Sequence, residues 1–195
     1  MMYCLTVLAL LLGSFVVQEF IPIFAWAYYS RLLFVHAVFY ASAVSVPFPV
    51  MLIFAFVSGF VWDCRYHIPI HAVDGGEHAP LEIPFGFTIF VFGLFGAFIQ
   101  GVRPFFRQGR WELPVLMVGI CTLGGLLMEY LVICFHRGGI VTSVEFWWKI
   151  LMTSLYSTLL APFLLLLFSR LAGMTGFKIQ MDGITRRYSY DGDSL

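Results

Sequence analysis

The chain has 195 residues, of which 61% are apolar and 11% are charged, and its mean hydropathy is +0.91. A soluble domain is about half apolar and about a quarter charged, so this composition excludes a water-soluble globular protein. The formal net charge of zero gives no basic surface for nucleic acid. We therefore predict an all-α integral membrane protein, a bundle of about six transmembrane helices.

Each crossing of a bilayer needs roughly 20 predominantly apolar residues. The predicted spans are residues 1–21, 31–46, 50–64, 83–102, 113–135 and 146–168. Together they predict a transmembrane domain at residues 1–170, followed by a cytoplasmic polar tail at residues 171–195. The first stretch lacks the basic flank and the cleavage site of a secretory signal, so we treat it as a retained span.

The connection after the first span carries the marks of a membrane–water interface. Pro22 follows the span and leads into an aromatic stretch at residues 24–29, which is typical of an interfacial turn. Gln18 and Glu19, just before the proline, are expected to reach the same interface.

Six crossings place both termini on one side of the membrane, and the basic residues are divided unequally between the two sides. The side with the termini carries Arg103, Arg107, Arg110, Arg170, Lys178, Arg186 and Arg187, and the other side carries Arg31, Arg65, Arg137 and Lys149. Because cytoplasmic flanks are enriched in lysine and arginine, this bias predicts that both termini are cytoplasmic.

Asp63 closes an apolar helix end, where a carboxylate is costly unless it is paired or hydrated. Arg31 and Arg65 are expected on the same side of the membrane and are its possible partners. Two interpretations remain open: an ion or substrate site, and a helix-end anchor that holds a neighbouring helix or loop. We favour the anchor, because the spacing places no second acid beside Asp63.

Glu129 lies well inside the fifth span and is expected to face the interior of the bundle. A contact between helices, or with the helix of a partner, is the favoured interpretation. A proton relay is the alternative. Glu19 and His36 are further candidates for buried polar contacts.

The polar stretch at residues 65–82 contains His67, His71 and His78 beside acidic residues, and these residue types ligate metals. Pro69 separates the first two histidines and disrupts the regular helix that would place both rings on one face. No HExxH or CxxC motif supports a metal site. We therefore expect a solvated loop and no cofactor, with metal binding by these histidines as the weaker alternative.

The sequence lacks the motifs of nucleophilic catalysis, of phosphate-binding loops and of dinucleotide binding. The basic loop at residues 103–112 suits anionic lipid headgroups, and it equally satisfies the preference for positive charge in the cytoplasm. Glycines within spans are typical of close helix packing. The candidates are Gly93, Gly96, Gly119, Gly124 and Gly125.

Several short segments, in order along nearly the whole chain, resemble the rod shape-determining protein MreD family. The first is the apolar helix end and proline-containing turn at residues 17–22, and the similarity continues from Arg31. The most recognisable feature is a glycine followed four residues later by aspartate, here Gly59 and Asp63. The last span, which contains Pro162, is similar to the last helix of the family.

The resemblance implies a non-enzymatic scaffold of the machinery that builds side-wall peptidoglycan during bacterial cell elongation. It also implies a multi-pass protein of the inner (cytoplasmic) membrane, with an MreC-like single-span protein and other elongation proteins as partners. Structural or partner-contact roles are then expected of Pro22, Arg31, Gly59, Asp63, Glu129 and Pro162. Because the family resembles the substrate-binding subunits of vitamin transporters in architecture, a small-molecule transport subunit is the alternative function.

Overall fold

The computed structural model describes residues 2–65, 69–70, 81–82, 84–104, 112–137, 139 and 143–177. The described residues form six α-helices: α1 (Met2–Phe20), α2 (Phe34–Ser45), α3 (Phe48–Arg65), α4 (Phe87–Val102), α5 (Glu112–Arg137) and α6 (Val144–Met174). Four of these, α1, α3, α5 and α6, are long and apolar enough to cross a membrane, and α2 and α4 are shorter apolar helices. The prediction of an all-α, multi-pass membrane bundle is confirmed.

Consecutive helices alternate in direction, and ring contacts mark the two ends of the bundle. At the end where α1 begins, called the near end here, Tyr3 stacks on Phe177, with 4.6 Å between ring centroids. At the opposite or far end, Tyr130 of α5 contacts Phe146 at the start of α6, with 4.3 Å between centroids. Helices α1, α3 and α5 therefore run from the near end to the far end, and α2, α4 and α6 run back.

A short β-hairpin joins α1 to α2 at the far end. Its strands, β1 (Ile23–Phe24) and β2 (Ser30–Arg31), pair antiparallel, with Ile23 opposite Arg31. The loop between them contains Tyr28 and Tyr29, which have φ angles of 55° and 56°. Tyrosine rarely adopts this left-handed conformation, so the loop is strained. The predicted interfacial turn is therefore a hairpin, and Tyr28 and Tyr29 are exposed on it.

A second strand pair lies in the connection between α3 and α4. Strands β3 (Pro69–Ile70) and β4 (Leu81–Glu82) are antiparallel, with Pro69 opposite Glu82 and Ile70 opposite Leu81. His67, His71 and His78 lie outside the described residues. The prediction of a solvated loop there, and the metal-binding alternative, therefore stay predictions.

The shortest helix, α2, is the centre of the bundle and contacts all five other helices. Every residue from Val35 to Ser45 is buried. Alanine and serine side chains on α2 are small enough for neighbouring backbones to approach closely. The hydroxyls of Ser42 and Ser45 donate to carbonyls of α2 itself, at 2.7 and 2.9 Å, so they need no partner from another helix.

Several predicted span boundaries differ from the helices. The fourth span was expected from residue 83, and α4 begins at Phe87. The second span was expected from residue 31, but Arg31 lies in β2 and α2 begins at Phe34. The last helix continues to Met174 instead of ending at residue 168. Pro162 lies inside α6 without ending it, although its ring removes the N–H that would bond the carbonyl of Thr158.

The five helices around α2 present large apolar side chains outward. Examples on α1, α3, α4, α5 and α6 are Leu5, Val16, Ile53, Phe56, Phe90, Leu94, Leu131, Leu159 and Phe163, all of them exposed. Such a surface is stable only where lipid or another apolar protein surface replaces water. The polar residues that contact α2 lie on the opposite, inward side of these helices.

Candidate functional site

Two side chains at the end of α4 hold the C-terminal end of α2, and we call Gln100 and Arg103 the near-end clamp. Nε2 of Gln100 donates to the carbonyls of Ala43 at 2.6 Å and of Val46 at 2.8 Å. Nη1 of Arg103 donates to the carbonyl of Val46 and to Oε1 of Gln100, both at 3.1 Å. The last carbonyls of a helix have no intrahelical partner, so the clamp satisfies them where water is excluded. The guanidinium also faces the negative end of the helix dipole.

Arg103 was predicted in a basic loop on the cytoplasmic side of the membrane, but the structure places its side chain inside the bundle. The residue is only 3% exposed, because its guanidinium reaches inward to the end of α2. The rest of that loop, residues 105–111, lies outside the described part of the chain. The expectation for the remaining basic residues of the loop therefore stays untested.

The N-terminal end of α2 is held by Gln18 of α1. Oε1 of Gln18 accepts hydrogen bonds from the backbone N–H groups of Phe34 at 2.7 Å and Val35 at 3.3 Å, and Nε2 donates to the carbonyl of Leu32 at 2.9 Å. Helix α2 has no side-chain cap from its own N-cap residue, Leu33, so another helix supplies the cap. Gln18 is 0% exposed, and its predicted interfacial position is wrong.

The two arginines expected to pair with Asp63 bind other groups. Nη2 of Arg31 donates to the backbone carbonyl of Gln18 at 2.7 Å, which fastens the hairpin to the end of α1. Nε of Arg65 forms an ion pair with Oε1 of Glu19 at 2.8 Å. Both side chains of this pair are exposed, so Glu19 makes a surface contact instead of a buried one.

Asp63 and Gly59 join the end of α3 to the beginning of α4. Oδ2 of Asp63, a residue that is 9% exposed, accepts a hydrogen bond from the backbone N–H of Gly86 at 2.8 Å. Gly86 has a φ of +94°, a conformation that favours glycine. One turn before Asp63, a Cβ atom at Gly59 would lie 2.5 Å from the Cα of Ile89, so only glycine allows this approach. These are the contacts expected of a helix-end anchor.

Most of the predicted packing glycines lie against another helix. A methyl group would meet Met51 and Phe39 at Gly96, Thr158 at Gly119, Phe95 at Gly124, and Tyr40 and Val91 at Gly125. Beside Gly119, the hydroxyl of Ser154 also donates to the glycine carbonyl at 2.9 Å, which strengthens the α5–α6 contact. Gly93 differs, because no described atom of another residue lies within 4 Å of the position of its missing Cβ.

Polar side chains of α2, α3 and α5 lie toward the far end of the bundle, and we call His36, Tyr40, Asp63 and Glu129 the far-end cluster. His36 and Tyr40 are one turn apart on α2 and are 3% and 0% exposed. Among the described residues, neither Nδ1 of His36 nor the hydroxyl of Tyr40 has a hydrogen-bond partner. Helix α2 packs against both α3, which carries Asp63, and α5, which carries Glu129.

Aromatic rings enclose the His36 side of the far-end cluster. The edge-to-face contacts of His36 are with Trp62, at 4.6 Å between ring centroids, and with Phe92, at 4.8 Å. Tyr40 also contacts Phe92, at 5.9 Å between centroids. These rings exclude water from one side of the cluster.

Pro22 is the remaining predicted site residue. Pro22 is exposed between α1 and β1 and makes no side-chain hydrogen bond, as its ring dictates.

Within the described ranges, no group of three or more histidine, cysteine, aspartate or glutamate side chains is placed to hold a metal ion.

No family model, no curated protein and no solved structure matches this chain. The interior of the bundle nevertheless separates two kinds of polar group. The near-end clamp donates hydrogen bonds to the backbone carbonyls of α2. In the far-end cluster, Nδ1 of His36 and the hydroxyl of Tyr40 have no hydrogen-bond partner among the described residues.

Proposed function

We propose that this chain is a non-enzymatic membrane scaffold of the bacterial cell-elongation machinery, the role that its resemblance to the MreD family implies. In this proposal it resides in the inner membrane with both termini in the cytoplasm. It binds an MreC-like single-span protein and holds the helices of its partners in position, without transforming a substrate.

The proposal rests on the helix contacts that Gly59 and Asp63 make. These two residues are the most recognisable part of the resemblance to the MreD family. Gly59 allows the backbone of Ile89 to approach α3, and Asp63 binds the N–H of Gly86 just before α4. Both contacts fix the relative position of two helices. Such contacts suit a scaffold, because recognition between membrane helices depends on helix faces held in a fixed arrangement.

The outward surface of the bundle also supports a scaffold. Most of the described chain lies in the helices of the bundle itself. No described atom outside its own helical turn lies within 4 Å of the position of a Cβ atom at Gly93 of α4. A glycine there leaves room for the helix of a partner to approach closely.

Co-purification with an MreC-like partner tests the proposal. We expect Asp63→Ala to reduce recovery of the partner several-fold, because α4 loses the acceptor that fixes its first turn. Glu19→Gln, which changes an exposed acid at the same end, is the matched control and is expected to retain the partner. Size-exclusion chromatography in detergent separates this effect from misfolding. Recovery that is the same for wild type and Asp63→Ala counts against the proposal.

A second variant tests the partner surface without disturbing the bundle. Gly93→Leu adds bulk where no close neighbour is found among the described residues, so the variant is expected to fold normally. If the partner helix approaches α4 there, recovery of the partner falls. Replacing the wild-type chain in cells with either variant is expected to turn rods into rounder cells, and normal rods with a dissociated complex would refute a role in elongation.

The alternative function, a small-molecule transport subunit, is favoured by one observation. Among the described residues, Nδ1 of His36 and the hydroxyl of Tyr40 are buried on α2 without hydrogen-bond partners, and such groups are available to a bound small molecule. A ligand that copurifies with the chain and is released by substitution of these residues would favour this alternative over the scaffold.

A further inference from the structure

Helices α3 and α4 lie side by side and are held at common levels at both ends. At the far end, Oδ2 of Asp63 in the last turn of α3 accepts the N–H of Gly86, the residue directly before α4. At the near end, Gln100 and Arg103 donate to the carbonyl of Val46, two residues before α3 begins. Both helices therefore cross the same layer, and the polar groups that join their ends mark its two boundaries.

The layer between these boundaries is thinner than an ordinary bilayer. Helix α3 has 18 residues and α4 has 16, so they are about 27 and 24 Å long. The apolar part of α3, residues 48–62, is only about 22 Å long, since a carboxylate such as that of Asp63 is costly in hydrocarbon. Tilt shortens the distance that a helix spans. These lengths are therefore upper limits, and they lie below the roughly 30 Å of a typical hydrocarbon layer.

The exposed ion pair between Glu19 and Arg65 marks the far boundary independently. Arg65 is the last residue of α3, and Glu19 lies at the end of α1. Charged side chains on the surface need water or lipid headgroups, so the hydrocarbon has to end before this pair. Helix α6 is different, because residues 150–169 lie between Lys149 and Arg170 without a charge and are about 30 Å long. The length limit thus applies to the α3–α4 side of the bundle and not to α6.

The outward surface between the two boundaries is apolar, and we call it the α3–α4 face. Its exposed large side chains are Ile53, Phe56, Phe60, Phe90, Leu94 and Phe98. Acyl chains suit such a surface, because they remove it from water without needing hydrogen bonds from it. Acyl chains longer than the face would bring hydrocarbon against the charged groups at its ends, so the adjacent lipids have to be short or compressed.

We propose that the α3–α4 face binds the lipids of a bilayer thinner than average, with a hydrocarbon layer of about 22 to 27 Å. In a thicker bilayer the protein compresses the lipids beside this face, and a partner that covers the face relieves that cost. The proposal does not depend on the scaffold function, since it concerns the isolated chain in lipid.

Fluorescence quenching by brominated lipids tests the proposal at a chosen surface. The full chain is reconstituted in vesicles of phosphatidylcholine with acyl chains of about 14, 16, 18, 20 or 22 carbons, a range that brackets the thickness of natural membranes. Brominated lipid of one length competes with unbrominated lipid of each length, and the quenching gives relative binding constants. Phe56→Trp places a reporter on the α3–α4 face, and Leu159→Trp places one on α6 at a similarly exposed position. The signal gained over wild type is analysed for each.

We expect the reporter at position 56 to show tighter binding of the shortest lipids. Binding of 14- to 16-carbon chains is expected to exceed that of 22-carbon chains by about threefold or more, because mismatch costs free energy for each ångström. The reporter at position 159 is expected to favour chains of about 18 carbons, which match a normal hydrocarbon layer.

A second pair of variants moves the boundary. Glu19→Leu combined with Arg65→Leu removes the exposed charges at the end of α3, so we expect the preference at position 56 to shift toward longer chains. Lys149→Leu removes an exposed charge from α6 at the same end of the bundle. It is the matched control and is expected to leave the preference at position 56 unchanged.

Several results would overturn the proposal. One is binding at position 56 that is independent of chain length or tightest for 18 carbons or more. Another is a reporter at position 56 that no brominated lipid quenches, which would mean that protein, such as a second copy of the chain, covers the face. A preference that does not shift in the Glu19→Leu and Arg65→Leu double variant would show that these charges do not set the boundary.

Discussion

The two ends of α2 meet the same physical demand in different ways. At the near end, Gln100 and Arg103 donate directly to the last carbonyls of the helix. At the far end, Gln18 satisfies the first N–H groups, but Nδ1 of His36 and the hydroxyl of Tyr40 have no hydrogen-bond partner among the residues that the structure describes. Groups whose bonds are made within the chain contribute stability, whereas groups with unused bonds are suited to binding. Substitutions at the two ends are therefore expected to affect different properties.

The largest expected effect tests the near-end clamp. Arg103→Ala is expected to lower the free energy of unfolding by about 3 kcal/mol, because the carbonyl of Val46 loses a charge-assisted partner where water is excluded. Equilibrium unfolding in mixed detergent and dodecyl sulphate measures the change. Arg103→Lys keeps the charge but lacks the planar guanidinium group. Its free energy of unfolding is expected to lie between those of the wild type and Arg103→Ala. Arg170→Ala, at an exposed position of α6, is the control, and an equal loss in both alanine variants would show that the clamp contributes nothing.

The next effect tests the cap at the far end. Gln18→Leu removes an acceptor from two N–H groups and a donor from one carbonyl, so we expect a loss of about 2.5 kcal/mol by the same measurement. Gln18→Glu retains the acceptor for Phe34 and Val35 and is expected to lose less. If the leucine variant is as stable as the wild type, the first N–H groups of α2 have hydrogen-bond partners other than Gln18. The two ends of α2 would then not both depend on a side chain from a neighbouring helix.

A pair of glycine substitutions separates packing from polarity near the far end. Gly59→Ala is expected to cost about 2 kcal/mol, because the new methyl group meets the backbone of Ile89. Gly93→Ala makes the same chemical change in α4 where no described neighbour lies within 4 Å, and we expect no loss or a slight gain. Melting temperatures of the two variants, measured side by side, check this. Equal values would contradict the close approach of α3 and α4.

The smallest expected effect concerns the surface pair between α1 and α3. Glu19→Gln removes an ion pair whose side chains are exposed, so we expect a loss below about 0.5 kcal/mol. Added salt is expected to reduce even this difference, since it screens exposed charges. Unfolding at low and high salt measures it. A large, salt-insensitive loss would mean that Glu19 has a role in the interior of the far end.

Much of the fold could be predicted from the sequence, because a membrane helix is recognised by a continuous apolar stretch of sufficient length. The central position of α2 could not be predicted in this way, since its apolar content resembles that of its neighbours. The available signals were its short length and its alanine and serine residues, such as Ala37, Ala41 and Ser42. These permit burial on all sides but do not require it.

The candidate site was predictable one residue at a time and not as a group. Asp63 and Glu129 each stand out as acids in apolar segments, but the sequence does not show that both helices, α3 and α5, pack against the central helix α2. Gln18 and Arg103 were misassigned for a related reason. A polar residue near the end of a span is usually interfacial, and the sequence does not show that another helix ends, buried, at the same depth.

The length of α2 has a consequence for how the protein is made. With 12 residues, the helix is only about 18 Å long, less than the roughly 30 Å of the hydrocarbon layer. His36 in its first turn further disfavours entry into lipid as an isolated segment. Its ends find partners only when Gln18 and then Gln100 and Arg103 are present. We therefore expect α2 to remain outside the hydrocarbon layer at first during synthesis. It then inserts together with its neighbours once α4 has left the ribosome.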